Sequence, residues 1–285
     1  MCRNLLPLVA LIFAAGLSSS TASAQTLFNQ TFNSSSTLAD FFNAATPSTG
    51  QFNAITSAAN NIATISSGAL VFTKNGGNSA GFSRSTDFNP VPSALLLQFD
   101  LTISGNTTAQ TNSTGLVLQL GSGFSSTTVG VEAVANLHSR IAINWTTING
   151  EWSIRRGGGT GDSTVSANTT GTQTLRFYVN NSGLSINYLG IDSTNYSLAN
   201  DTYDVWVGTT RAPNLTSVVA SSAPDIALTD LKFTYDSGAA NAVIAIDNLS
   251  VTAIPEPASF TFIAALASAT AVAIRRQNHA RQRTS

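Results

Sequence analysis

Cysteine is nearly missing from this chain of 285 residues: Cys2 is the single one, and charged residues make up only 9% of the total. One cysteine cannot close an internal disulfide, and a thiol so near the N-terminus cannot build a cysteine-rich metal site. Histidine is almost as scarce, with only His138 and His279. His138 reads as a loop residue opening a strand over 139–148. A Ser-His-Asp arrangement would have to use it, and no Gly-x-Ser-x-Gly elbow accompanies it. An excess of positive charge is lacking too. Between residues 25 and 253 the acids outnumber the eight bases Lys74, Arg84, Arg140, Arg155, Arg156, Arg176, Arg211 and Lys232. That balance excludes nucleic acid as a partner. Glycoside hydrolysis needs two carboxylates facing each other. Here Glu132 and Glu151 stand alone, and the aspartates approach one another in sequence only as Asp201 with Asp204 and Asp225 with Asp230, both in turn-like stretches. The body is therefore expected to be non-enzymatic and to need no cofactor.

What the chain does have is regular alternation. Leu95, Leu97, Phe99, Leu101 and Ile103 fall on one face while Gln98, Asp100, Thr102 and Ser104 fall on the other, the period of a half-buried strand. Leu116, Leu118 and Leu120 repeat the pattern, as do Leu175, Phe177 and Val179. Asn181-Ser182-Gly183 then reads as the loop of a hairpin that resumes at Leu184, Ile186 and Tyr188. Further strands are expected over 69–74, 129–134, 204–209, 232–235 and 243–251. Only 35–43 and 57–65 look weakly helical. About a dozen short strands without covering helices predict an all-β, two-sheet antiparallel sandwich over residues 25–253.

Aromatic residues are the remaining lead toward ligand binding. Trp145 and Trp152 flank Asn149-Gly150, and a two-residue hairpin loop there puts both on the apolar face with Ile141, Ile143 and Ile154, as core residues. Trp206 differs. Val205 and Val207 claim the inner face, leaving Trp206 outward beside Asp204 and Gly208, either as an edge-covering or interface residue or as the candidate for stacking against a sugar ring.

The two ends carry signals of another kind. Arg3, the apolar run 5–17 and Ala22-Ser23-Ala24 form a secretory signal peptide over residues 1–24, to be removed by signal peptidase. At the other end, Ile254-Pro255-Glu256-Pro257-Ala258 is followed by an uncharged stretch to Ile274 and then by Arg275, Arg276, Arg281 and Arg283. Seventeen residues of helix span roughly 26 Å, close to a bilayer core once the arginines snorkel, and the basic tail is expected on the cytoplasmic side. Residues 254–285 resemble the sorting signal of PEP-CTERM proteins. The resemblance implies recognition at Pro255, Glu256 and Pro257 by an exosortase-type transpeptidase, a transmembrane helix before processing, and delivery to the cell surface or extracellular matrix.

The body resembles the concanavalin-like and LamG-like jelly rolls. Leu27-Phe28-Asn29-Gln30-Thr31-Phe32 at its start and Ile244-Ala245-Ile246-Asp247-Asn248-Leu249-Ser250-Val251 at its end carry the likeness. It implies that first and last strands pair, and it makes Asp247 the candidate ligand of a structural Ca²⁺ between them, although the first strand offers amides and a hydroxyl with no carboxylate. The expectation is an exported, non-enzymatic protein of the surface or polysaccharide matrix. A carbohydrate-binding module or adhesin is the first alternative, and a degenerate polysaccharide-active enzyme the second.

Overall fold

The structure is a computed structural model that describes residues 24–111, 116–127, 129–156, 166–212, 226–235, 238 and 240–255. In chain order the strands among them begin with β1 (Gln25–Gln30), β2 (Ala54–Thr56), β3 (Asn61–Ser66), β4 (Ala69–Asn75), β5 (Ala80–Arg84), β6 (Ala94–Ser104), β7 (Leu116–Gly121) and β8 (Leu137–Trp145). They continue with β9 (Trp152–Arg156), β10 (Gln173–Asn180), β11 (Ile186–Leu189), β12 (Asn195–Leu198), β13 (Thr202–Val207), β14 (Thr210–Arg211), β15 (Asp230–Tyr235) and β16 (Asn241–Ala253). One sheet runs β14-β13-β10-β6-β16-β4-β3, with β1 also on β16; a second runs β2-β5-β15-β7-β8-β9; and β11 pairs with β12 separately. Every pairing between these strands is antiparallel. The chain thus forms the antiparallel all-β sandwich that its alternation predicts.

Alternation decides which face each strand buries. Leu95, Leu97, Phe99, Leu101 and Ile103 of β6 all enter the core shared by the two large sheets. There they meet the aromatic side chains of the opposite sheet. Phe99 packs edge-on to Phe233 of β15 at 5.9 Å, and Phe72 of β4 lies 4.8 Å from Tyr235. Each such side chain removed from water contributes roughly 1.5–3 kcal/mol, so these contacts are what press the sheets together. The pairing of first and last strands also holds: Gln25 faces Ala253 and Gln30 faces Leu249.

Several local expectations change. The helical reading of 57–65 gives way to β3, where Asn61 and Ala63 point inward and Ile62 and Thr64 outward; its β-branched residues suit the pleat better than a helix. Of 35–43 only Leu38–Phe41 coils, as a 3₁₀ turn. The stretch 129–134 is no strand, because Glu132 is drawn by its backbone N–H onto the Gln119 side chain instead of a neighbouring ladder. The expected hairpin through Asn181-Ser182-Gly183 does not form either. β10 is already flanked by β6 and β13, so β11 leaves the sheet and pairs with β12.

The tryptophan hairpin keeps its faces but not its register. Trp145 faces Trp152, and Ile143 faces Ile154, two residues from the pairing that a two-residue loop would impose. Thr146 donates its N–H to the Glu151 carbonyl at 3.1 Å, closing a longer loop with Gly150 at φ 80°. A slip of two residues preserves the face where a slip of one would reverse it, and both indoles are buried in the core.

Candidate functional site: a polar cleft on the outer face of the six-stranded sheet

Trp206 does point outward, but it is 1% exposed. The β11–β12 hairpin folds across this face, and with Tyr178, Ile186, Tyr188 and Leu198 it buries the indole in a second apolar cluster. A Cβ on Gly190, in the turn of that hairpin, would lie 2.8 Å from the indole ring, so the covering backbone sits directly on it. The indole N–H donates to the Tyr188 hydroxyl at 3.2 Å, and that hydroxyl donates to Asp204 at 2.6 Å. Arg211 completes the charge balance at 2.8 Å from both Asp204 oxygens. Burial chiefly, together with the bond to Asp204, holds the Tyr188 phenol protonated far above its ordinary range. The reading of Trp206 as an exposed stacking platform is therefore corrected: it is a covered packing residue.

Asp247 stands opposite Asp100 across β6 and β16, at a register shift where Asn248 adopts φ 50°. Burial, with the charge of Asp100 added, raises the Asp247 carboxyl above the usual range. Both Asp100 oxygens are already engaged, by Thr174 at 2.5 Å and by the Asn248 amide at 2.8 Å. Among the described residues no three acidic, histidine or cysteine side chains converge as a metal cluster would require. The pair therefore does not make the oxygen-rich cage that a hard cation takes. Pro255 closes the described body; Glu256, Pro257 and the arginines Arg275, Arg276, Arg281 and Arg283 lie outside the described residues, as do residues 1–23 of the expected signal peptide and the stretch expected to form a transmembrane helix.

His138 is not a loop residue. It lies within β8, fully buried, with Asp201 at 3.9 Å from its Nε2. Neither ring nitrogen has a hydrogen-bond partner among the described residues, and burial pulls its pKa down from 6.5 to about 4. The ring is neutral at pH 7. Among the described residues no nucleophile is hydrogen-bonded to it, and the geometry there is that of a buried polar residue.

The arrangement with the chemistry of a binding site lies elsewhere, on the outer face of the β2-β5-β15-β7-β8-β9 sheet. Cross-strand register lines up Ser83, Lys232, Gln119 and Arg140 in one row and Gly81, Thr234, Val117 and Ala142 in the next. The floor stays low at Gly81, where a Cβ would sit 2.2 Å from the Phe233 carbonyl oxygen. Residues between β7 and β8 rise as a wall. Lys232 anchors them: its buried ammonium pairs with Glu132 and donates to the Ser125 carbonyl at 3.0 Å. Glu132 in turn donates its N–H to Gln119 Oε1 at 2.7 Å.

Between wall and floor lies a shallow surface depression lined by Thr56, Ser83, Ser126, Val129 and Thr234 around Gly81. Ser83 Oγ is buried there with no hydrogen-bond partner among the described residues. A buried hydroxyl without a partner costs about 1–3 kcal/mol. Alternation places Ser83, Lys232 and Thr234 on the outer face, but the wall depends on Glu132 meeting a lysine from a distant strand. No local spacing announces that.

No protein-family model matches the sequence, and no curated protein matches it. Several solved structures show a distant likeness. A carbohydrate esterase from the Shiga toxin-encoding bacteriophage phi24B aligns at 15% identity and a TM-score of 0.47, over 82% of this chain and all of that one. The carbohydrate recognition domain of Emp46p aligns at 13% identity and a TM-score of 0.39, over 67% of this chain and 85% of that one. A sialidase aligns at 14% identity and a TM-score of 0.42 over 70% of this chain, which spans only 16% of the sialidase. None of these likenesses assigns an activity here.

Proposed function

We propose that this chain is an exported, non-enzymatic β-sandwich protein that holds an uncharged, hydroxyl-rich polysaccharide in the cleft above Gly81. The hydroxyl-rich lining of Thr56, Ser126 and Thr234 above the Ser83 row carries this reading. Such a surface exchanges hydrogen bonds with sugar hydroxyls and offers no free charge to an ionic ligand, since Lys232 is paired with Glu132. The same pairing supports a binding role over hydrolysis, because Glu132 is tied up where a second, facing carboxylate would be needed. The signal-peptide pattern and the Pro255-Glu256-Pro257 segment with its basic tail support export, exosortase-type sorting and a place on the cell surface or in its polysaccharide matrix.

Affinity electrophoresis of the full chain through gels containing a β-glucan, a xylan or the charged polymer alginate tests the reading. Retardation is expected in a neutral gel and not in alginate. Thr56→Trp, which fills the cleft from its partly exposed lip, is expected to abolish retardation without changing the melting temperature. Equal retardation of that variant, or free migration of the native protein in every neutral gel, overturns the proposal.

A further inference from the structure

The wall of the cleft is built from groups that do more than pair. Lys232 and Gln119 are direct cross-strand partners on β15 and β7, so their side chains leave the same face side by side. Both are fully buried, as is Thr234. Glu132 reaches both members of the pair. Its carboxylate takes the Lys232 ammonium, while its backbone N–H points at Gln119 Oε1 from 2.7 Å. The Gln119 amide nitrogen donates to Thr234 Oγ1 at 3.4 Å. Glu132 thus joins the Lys232 ammonium to the Gln119 carboxamide, whose carbonyl oxygen accepts from the Glu132 N–H and whose nitrogen contacts Thr234.

We propose that Lys232 and Gln119 join through their side chains, forming an intramolecular amide that crosslinks the two central strands of this sheet. Glu132 accepts a proton from Lys232 Nζ, and the neutral amine attacks Gln119 Cδ. Negative charge gathers on Oε1, against the Glu132 N–H. The proton then passes from Glu132 to Nε2, the Cδ–Nε2 bond breaks, ammonia leaves, and Nζ gives its second proton to Glu132, so that a neutral Nζ–Cδ amide and a protonated Glu132 remain. Nothing is oxidised or reduced, and no co-reactant is consumed. Burial favours the step by excluding the water that would otherwise solvate the amine and hydrolyse the intermediate. The product fits this chain, whose body has no cysteine with which to tie its strands covalently. It also closes a long loop of sequence, lowering the entropy of the unfolded chain as a disulfide does.

Peptide mapping of the full chain by tandem mass spectrometry after denaturation and digestion decides the matter. A linked pair of peptides containing Gln119 and Lys232, lighter than their sum by one ammonia, is expected, with Lys232 refractory to acetylation and to trypsin. Glu132→Gln is expected to yield the two peptides separately. Recovery of both native peptides at their sequence masses, with Lys232 acetylated, overturns the proposal. So does loss of ammonia confined to Gln25, which can cyclise once it becomes an N-terminus, or loss of water mapped to Glu132. Equal crosslinking in Glu132→Gln overturns the role given to Glu132. The native map decides even if that variant fails to fold.

Discussion

His138 makes the stability of this protein depend on pH in a calculable way. Its folded pKa is about 4 against an ordinary 6.5, and burial is the cause. Between those two values the unfolded chain binds a proton that the folded chain refuses. Stability therefore falls as the pH drops through this window, and the contribution is complete above 6.5 and gone below 4. At about 1.4 kcal/mol for each pH unit, the loss sums to roughly 3 kcal/mol. For a domain of this size that corresponds to about 6–12 °C in melting temperature. Asp201, 3.9 Å from Nε2, is the carboxylate available to the imidazolium. The raised carboxyls of Asp230 and Asp247 act in the opposite direction, favouring the folded state as they protonate. The clean measurement is accordingly a difference. Thermal melts of the native protein and of His138→Leu, taken from pH 7 to pH 4, should diverge, with the native protein losing about 3 kcal/mol more. Neither ring nitrogen makes a hydrogen bond that leucine would forfeit, so the variant should fold. Parallel curves for the two proteins across the window would refute the reasoning.

Three further outcomes are expected. Trp206→Ala should destabilise the protein by about 3–5 kcal/mol in urea titrations while leaving polysaccharide retardation intact, because the indole is packing under the β11–β12 hairpin; lost binding at unchanged stability would restore it as a stacking residue. Trp152→Ala should cost a similar amount, and acrylamide should quench the native emission poorly, since all three indoles are buried; ready quenching would contradict the fold. Protein recovered from the surface of its native host should lack the residues after the Pro255-Glu256-Pro257 region, and an intact mass that still includes Arg275 to Ser285 would reduce that segment to a plain anchor.

The two large sheets are written in local alternation, and β6, β10 and β16 can be read from it because one face of each strand meets the core. Trp145 and Trp152 were legible for the same reason, even though their loop is longer than Asn149-Gly150 suggests. Trp206 shows where such reading stops. Its parity correctly gives the outer face, but whether that face meets water depends on a hairpin formed by residues 186–198, and no period within β13 records a second layer. His138 was obscured by the bulge where β7 shifts register against β8. The cleft was hidden more thoroughly. Ser83, Thr234 and Lys232 look like ordinary solvent-facing strand positions, and they become a site only because Glu132, a hundred positions from Lys232, folds its segment over them.

Pairing of β1 with β16 has a mechanical consequence. Gln25 and Ala253 are direct partners at the same end of the ladder. A pull applied across the two ends of the body therefore loads the hydrogen bonds one after another, as in opening a zip, instead of stretching the whole ladder in shear. A surface protein held at both ends would peel along β1 at low force. Held at one end only, as a single anchor would hold it, the same joint carries no tension along its length.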